Sequence, residues 1–297
     1  HPTWFVEYCY RVFGRQMALL LLKSGMSPPP TYLRVNTLQG TEEALVQEIS
    51  AGGVQLLRVE SIPNVYEVIS SKRPLPLMRA YRDGLFYIQD ASSCLSSLVA
   101  DPQPDSTVLD VCAAPGAKTS HLAQLMKNRG TIYSVDKSAR RMNVWVKEMK
   151  RMRVENANPI VSDATVTLPL DIEADIVALD APCSGTGSFA RTPSLKWKMT
   201  PTWIEKLTQV QWCMLEKCAE RTKPNGTLVY STCSVMVEEN EMLIEQFLKV
   251  HPEFRLADQK PRIGLTGLRG MTKCQRLYSY IHRSNGFFVA NLTREKA

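Results

Sequence analysis

Asp110-Val111-Cys112-Ala113-Ala114-Pro115-Gly116-Ala117-Lys118-Thr119 joins a strand-like run, Thr107 to Val111, to a helix predicted from about Lys118 to Lys127. Small residues let a backbone approach a ligand closely, and the helix N-terminus then faces an anionic group such as a carboxylate. The phosphate-loop spacing G-x-x-x-x-G-K-[ST] is absent, because only Gly116 precedes Lys118, which weighs against an NTPase. Asp136 ends the next predicted strand, where an acid takes ribose hydroxyls in this topology. An adenosine carrying a carboxylate in place of phosphates suits both ends, and S-adenosyl-L-methionine is such a molecule. The competing interpretation is a small-residue turn that only packs a helix close to a sheet.

Outward from this loop, strands and helices alternate. Thr131 to Val135, Pro159 to Ser162, Ala174 to Leu179 and Thr227 to Tyr230 read as further strands. A basic helix is predicted over 138–152. A long one opens at Thr200-Pro201 and stops at Pro224-Asn225-Gly226, and another spans Val237 to Val250 with Glu238 and Glu239 in its first turn. Arg276 to Ile281 and Phe287 to Leu292 flank Ser284-Asn285-Gly286, a hairpin signal. This predicts an α/β, Rossmann-like sheet covered by helices on both faces, with its site at the carboxyl ends of the strands and a terminal antiparallel hairpin. A small α+β module precedes it. There a helix runs from Trp4 to Lys23, a strand from Tyr32 to Thr37 and a helix capped by Thr41, with strands at Val54 to Val59 and Tyr66 to Ser70. The expected division is residues 1–88 for the module and 89–297 for the larger domain.

The 297 residues are 44% hydrophobic and 22% charged, which excludes a disordered or fibrous chain and gives ample length for a core. The net charge of +7 is compatible with a polyanionic partner without specifying one. Eight cysteines form no C-x-x-C pair and four histidines have no zinc-ligand spacing to them, so a structural metal site is not expected. The apolar run Met17 to Leu22 is far too short to cross a bilayer, and nothing resembles a signal peptide. The expectation is a cytoplasmic monomer, a few leading residues being absent before His1.

Cys183, in Asp180-Ala181-Pro182-Cys183-Ser184-Gly185, follows one strand, and Cys233, in Ser231-Thr232-Cys233-Ser234, follows the next. Either alone is compatible with an inert small residue at a strand end. Two beside a cofactor loop point to nucleophilic chemistry. A thiol beside S-adenosylmethionine suits methylation of a pyrimidine C5, a poor nucleophile until a thiolate adds to C6. Asp180 is placed to hydrogen-bond or protonate cytosine N3.

Together these residues resemble the Nol1/Nop2/Sun family of RNA 5-methylcytosine methyltransferases, whose catalytic domain is a class I S-adenosylmethionine fold. Arg34-Val35-Asn36-Thr37 and Gln89-Asp90-Ala91-Ser92-Ser93 are similar to its early motifs. Cys112 to Lys118, Asp180 to Cys183, and Thr232-Cys233-Ser234 before Glu238-Glu239-Asn240-Glu241 are similar to its central ones, and Asn285 to Ala290 to its closing strand. The resemblance implies that Cys233 attacks C6 and that Cys183 assists release of the methylated RNA, with the C5 proton as one task open to it. It implies that Cys112, Ala113, Ala114, Pro115, Gly116, Ala117 and Lys118 hold the methionine end of the cofactor and Asp136 its ribose. Asp163 then meets the adenine, Asp180 lines both pockets, and Arg141 matches a basic position after the ribose acid. The family has Gly where this chain has Ala117; a positive φ there would cost about 1 kcal/mol.

The partner implied is RNA, tRNA in preference to rRNA. Arg191, Lys196 and Trp197 beside Cys183 suit phosphates and a stacked base, and Arg34 is a candidate contact from the module. The basic helix after Asp136 is a further candidate track. The rivals are a methyltransferase acting on DNA cytosine and a non-catalytic RNA-binding assembly factor on the same fold.

Overall fold

The computed structural model describes residues 1–27, 29–168 and 171–296; Pro28 of the proline run lies outside them. The N-terminal part comprises α1 (Thr3–Ser24), β1 (Thr31–Val35), α2 (Glu42–Ala51), β2 (Val54–Arg58), β3 (Val65–Ser71), α3 (Arg79–Arg82) and β4 (Phe86–Ile88). Its strands pair in the antiparallel order β2-β3-β1-β4. The two-residue period sorts β1: Leu33 and Val35 pack with Leu45 and Ile49 of α2, while Tyr32 faces the other way, against Ala91 and Cys94. Thr41 accepts from Ala44 N and caps α2 as its position predicts. α1 does not join this sheet. It breaks at Gly14 (φ 72°, ψ 168°), and its apolar face, with Phe5, Tyr8 and Leu21, packs against Phe189, Ile204, Val235 and Tyr278.

From α4 (Ala91–Ala100) onward come β5 (Thr107–Val111), α5 (Ala117–Leu125), β6 (Thr131–Asp136), α6 (Ala139–Arg151), β7 (Ala157–Val161) and β8 (Ala174–Asp180). Then follow α7 (Leu195–Lys198), α8 (Pro201–Glu220), β9 (Thr222–Thr232), α9 (Glu241–Val250), β10 (Phe254–Leu256), β11 (Leu265–Thr266), β12 (Gln275–Leu277), α10 (Ser279–His282) and β13 (Phe287–Arg294). The sheet runs β11-β12-β13-β9-β8-β5-β6-β7, with β10 on β13. The five strands from β9 to β7 are parallel, and β13 enters antiparallel against β9. Leu109, Val177 and Leu228 face α8 and α9, whereas Val108, Ile132 and Ile176 face α4 and α5. This is the expected Rossmann-like class I fold behind a small α+β module. The winding reverses between β5 and β8, and a crevice opens at their carboxyl ends.

Three expectations need correction. The closing strands do pair, Leu277 opposite Phe287, but the connection is no tight hairpin: α10 stands in it. Asn285 N donates to Asp90 Oδ1 and Gly286 N to Gly187 O, so this segment is held by distant groups, not by its own turn. The long helix α8 stops at Glu220, ahead of Pro224-Asn225-Gly226, which instead form an irregular start to β9 with Asn225 at φ 62°. The next helix, α9, begins at Glu241, so Glu238 and Glu239 precede it.

Candidate active site

The loop after β5 is shaped by backbone conformations that its small residues permit. Cys112 (φ 65°) and Gly116 (φ 114°) are left-handed, and Ala117 is the first residue of α5. The φ cost considered for Ala117 therefore does not arise; Gly116 meets that demand. A Cβ on Gly116 would also lie 2.5 Å from Met149 Cε. No side chain among the described residues caps α5, which leaves its first N–H groups as a donor set suited to a carboxylate. Asp136, buried at the end of β6, accepts from Ala114 N (3.3 Å) and Ser138 N (3.0 Å) and pairs with Arg141 (3.1 Å). Arg141 also donates to the Ala114 carbonyl, tying the loop to Asp136. Behind the loop, buried Asp110 accepts from Thr119 Oγ1 (2.5 Å), and burial pushes its carboxyl up to about 7.

β8 and β9 lie side by side in parallel, with Asp180 opposite Ser231, so the turns that follow place two thiols together. Cys183 Sγ and Cys233 Sγ are 3.3 Å apart. Lys118 reaches in from α5, its Nζ 2.7 Å from Asp180 Oδ2 and 3.2 Å from Ser93 Oγ. Burial works against the Lys118 charge, but Asp180 outweighs it and holds the ammonium above its usual range. The hydrogen bond from Cys183 draws the Cys233 thiol below its ordinary range against burial and against Asp180, whose effect exceeds that of Lys118. The same hydrogen bond, with burial, drives Cys183 well above that range. Distance alone permits either sulfur to donate; with Cys183 as the donor, Cys233 is the anionic partner. Burial pushes the third thiol here, Cys112, up to about 12.

Sequence reasoning missed the clamp behind the two thiols. Buried Glu239 accepts from Ser184 N (2.8 Å), Ser184 Oγ (2.6 Å), Gln211 Nε2 (3.0 Å) and Ser234 Oγ. Ser184 follows Cys183 and Ser234 follows Cys233, so one carboxylate holds both turns. Gly187 N donates to Cys233 O (3.0 Å), and a Cβ on Gly187 would strike the Gly286 carbonyl. The available signal was an acid two residues past the apolar Val235-Met236-Val237, where a carboxylate has unusual access to the interior.

Six of the sequence-designated residues, Cys112, Asp136, Arg141, Asp180, Cys183 and Cys233, line one cavity of about 220 Å³, whereas Ala113, Ala114, Pro115, Gly116, Ala117 and Lys118 stand outside its wall. Asp163 stands aside from that wall. Its carboxylate accepts from Thr165 N (2.9 Å) and Thr165 Oγ1 (2.7 Å), and Ser162 and Ala164 line the cavity in its place. A roomier groove of about 780 Å³ between α1, α8 and α9 contains none of the designated residues.

The RNA contacts fare differently. Arg34 is fully buried, donating to Gln89 Oε1 (2.9 Å), Ser120 Oγ (2.7 Å), the Ala117 carbonyl and Gln124, so it is a structural residue and no phosphate contact. Lys196 is buried with its Nζ on Gly25 O (2.8 Å), and desolvation lowers its pKa. Arg191 is committed to Pro30 O (2.5 Å) and Asp90 (3.1 Å). Trp197, 73% exposed, remains open. On α6, Arg151 lies 4.0 Å over the Tyr81 ring and binds its carbonyl, while Arg140, Lys147 and Lys150 are exposed.

A parallel sheet with a loop, an acid and a crevice in these places defines a class I S-adenosylmethionine-dependent methyltransferase fold. Residues 97–293 match the family described as 16S rRNA methyltransferase RsmB/F, and residues 1–70 match its RsmF/B-like ferredoxin-like domain. The chain belongs to the RsmB/F methyltransferase family. It is 31% identical over 301 residues to a probable ribosomal RNA small subunit methyltransferase B of Synechocystis, covering 99% of this chain and 66% of that protein. It is 36% identical over 233 residues to a tRNA (cytosine(72)-C(5))-methyltransferase of Pyrococcus horikoshii, covering 77% and 58%. The chain thus spans no more than about two thirds of these curated relatives. The crystal structure of NSun6 from Pyrococcus horikoshii with SFG superimposes with a TM-score of 0.92 at 26% identity, covering 100% of this chain and 99% of that one.

Proposed function

We propose that the chain transfers a methyl group from S-adenosylmethionine to C5 of a cytosine in RNA, through a covalent bond between Cys233 and C6. The observation that carries this is the pair of thiols 3.3 Å apart at the ends of two neighbouring strands, opening with Asp136 and Asp180 onto one cavity. When bound, the cofactor supplies an electrophilic methyl group on a sulfonium centre. The open N-terminus of α5 and residues 112–118 suit its carboxylate end, and Asp136 suits its ribose hydroxyls. An analogue of it, SFG, accompanies the Pyrococcus NSun6 structure.

Addition to C6 requires a thiolate, and the Cys183 hydrogen bond favours one at Cys233. Asp180, fixed by Lys118 and by Ser231 Oγ (3.1 Å), presents a carboxyl group to the edge of the base. Cys183 acts again when the adduct breaks: C5 gives up its proton to water, the C5–H electron pair restores the C5–C6 double bond, the C6–S bond breaks, and the hydrogen bond that Cys183 donates stabilises the departing Cys233 thiolate. Without that donor the adduct persists. The target cytosine has to leave its stack to reach this recessed pair.

Among RNAs we favour tRNA, on the 36% identity to the Pyrococcus tRNA enzyme; the family description and the Synechocystis relative support rRNA as the alternative. Eight free cysteines suit the reducing cytoplasm. The test is incubation with methyl-labelled S-adenosylmethionine and, separately, unmodified tRNA, rRNA or DNA, followed by nucleoside identification. Labelled 5-methylcytidine from tRNA is expected. Label from rRNA alone replaces the substrate, and label in DNA overturns the RNA assignment. No label in any pool, with cofactor binding confirmed, favours a non-catalytic RNA-binding factor.

A further inference from the structure

Cys183 and Cys233 are placed for a reaction that methyl transfer does not use. We propose that they form a redox modification site: a peroxide converts them to an intramolecular disulfide, and a dithiol reductant restores them. The sulfurs are already 3.3 Å apart and need only close to the roughly 2.05 Å of a disulfide. Their turns are tied to each other, since Glu239 binds Ser184 and Ser234, and Gly187 N binds Cys233 O. Both thiols border the cavity, which gives a small oxidant access.

The chemistry needs one peroxide. The Cys233 thiolate attacks a peroxide oxygen; an S–O bond forms, the O–O bond breaks, hydroxide leaves, and Cys233 becomes a sulfenic acid. The Cys183 sulfur then attacks Cys233 Sγ. The S–S bond forms, the S–O bond breaks, and the departing hydroxide takes the Cys183 proton as water. Two thiols are oxidised by two electrons and one peroxide is reduced to two waters, the first hydroxide taking the proton that Cys233 had released. Cys183 lies closer than any second oxidant molecule has to come, so the pair closes before Cys233 climbs to the irreversible sulfinic acid. Cys112, the third thiol on the cavity, has its sulfur against Met214 and not against Cys233, so it is not the resolving partner.

The loss of activity on oxidation rests on the proposed function; disulfide formation does not. The experiment treats purified protein with a few equivalents of hydrogen peroxide, then measures intact mass and non-reduced peptide maps. Methyl transfer is assayed before oxidation, after it, and after dithiothreitol. The expected result is a protein lighter by two hydrogens, a Cys183–Cys233 cross-linked peptide, no methyl transfer, and recovery with dithiothreitol. Cys183→Ser should instead gain two or three oxygens at Cys233, beyond rescue by dithiothreitol. A wild-type protein that gains oxygens at Cys233 without the cross-link overturns the proposal, as does a cross-link mapped to another pair. If the cross-link forms but the reduced protein transfers no methyl group, the methyltransferase assignment fails and the redox site stands.

Discussion

At the scale of single residues, the chemistry depends on which sulfur carries the charge. The hydrogen bond from Cys183 favours thiolate at Cys233. A lowered pKa means that reactivity persists to lower pH, so alkylation of Cys233 by iodoacetamide should show a midpoint below the ordinary thiol value of about 8.5. Cys183→Ala removes the donor, and the midpoint should move up. A wild-type midpoint at or above the ordinary value, mapped by mass spectrometry to Cys233, contradicts the assignment of the anion. The two cysteines were legible in the sequence because each follows a strand and stands beside small, turn-forming residues. Arg34 and Lys196, expected at an RNA surface, are buried. A cation in a sequence looks the same whether it meets solvent or satisfies buried carbonyls, and only tertiary packing puts Gly25 O or Ser120 Oγ within reach.

At the scale of elements, β5, the loop and α5 were readable together, since period-two apolar strands and a small-residue turn are local patterns. What went wrong was recruited from a distance. The sequence pattern predicts Glu239 in the first turn of a helix, but its carboxylate is drawn inward to Ser184 and Ser234, and Asn240 (φ −118°, ψ −101°) leaves the helical region before α9 starts. Ser284-Asn285-Gly286 read as a hairpin turn because local chemistry allows one, while Asp90 and Gly187 claim its N–H groups. The loop conformation yields a prediction. Gly116→Ala imposes a left-handed cost of about 1–2 kcal/mol and crowds Met149, so cofactor affinity by calorimetry should fall about tenfold or more. Ala117→Gly should leave that affinity near wild type and cost about 0.5–1 kcal/mol of stability, as glycine does in a helix. Tighter cofactor binding by Ala117→Gly would mean that the strain lies at position 117 after all.

For the whole molecule, the joint between module and larger domain combines the apolar packing of α1 and Tyr32 with a set of buried polar contacts. Arg34 crosses it to Gln124 and Ser120 of α5, Asn36 Nδ2 binds Met152 O (2.8 Å), and Arg151 Nη1 reaches the Tyr81 and Phe86 carbonyls (2.7 and 3.1 Å). Truncating Arg34 leaves buried acceptors unpaired, at about 1–3 kcal/mol each. Arg34→Ala should therefore lower unfolding stability by about 2–4 kcal/mol, seen as a lower Tm. The salt dependence of RNA binding separates this from a phosphate contact, which would flatten the slope by about one unit on its removal. We expect no change in slope for Arg34→Ala. A flatter slope with an unchanged Tm would return Arg34 to the RNA surface. That surface is now better sought at Trp197 and the exposed cations of α6.

The central claim is the division of labour between the two thiols: Cys233 bonds to the base and Cys183 lets it go. It is tested most directly by incubating Cys183→Ala and Cys233→Ala variants with S-adenosylmethionine and substrate RNA, then resolving the products on a denaturing gel. The predicted result is a covalent protein–RNA band that accumulates in Cys183→Ala and is absent in Cys233→Ala. A band in Cys233→Ala and none in Cys183→Ala would contradict the account and exchange the two roles.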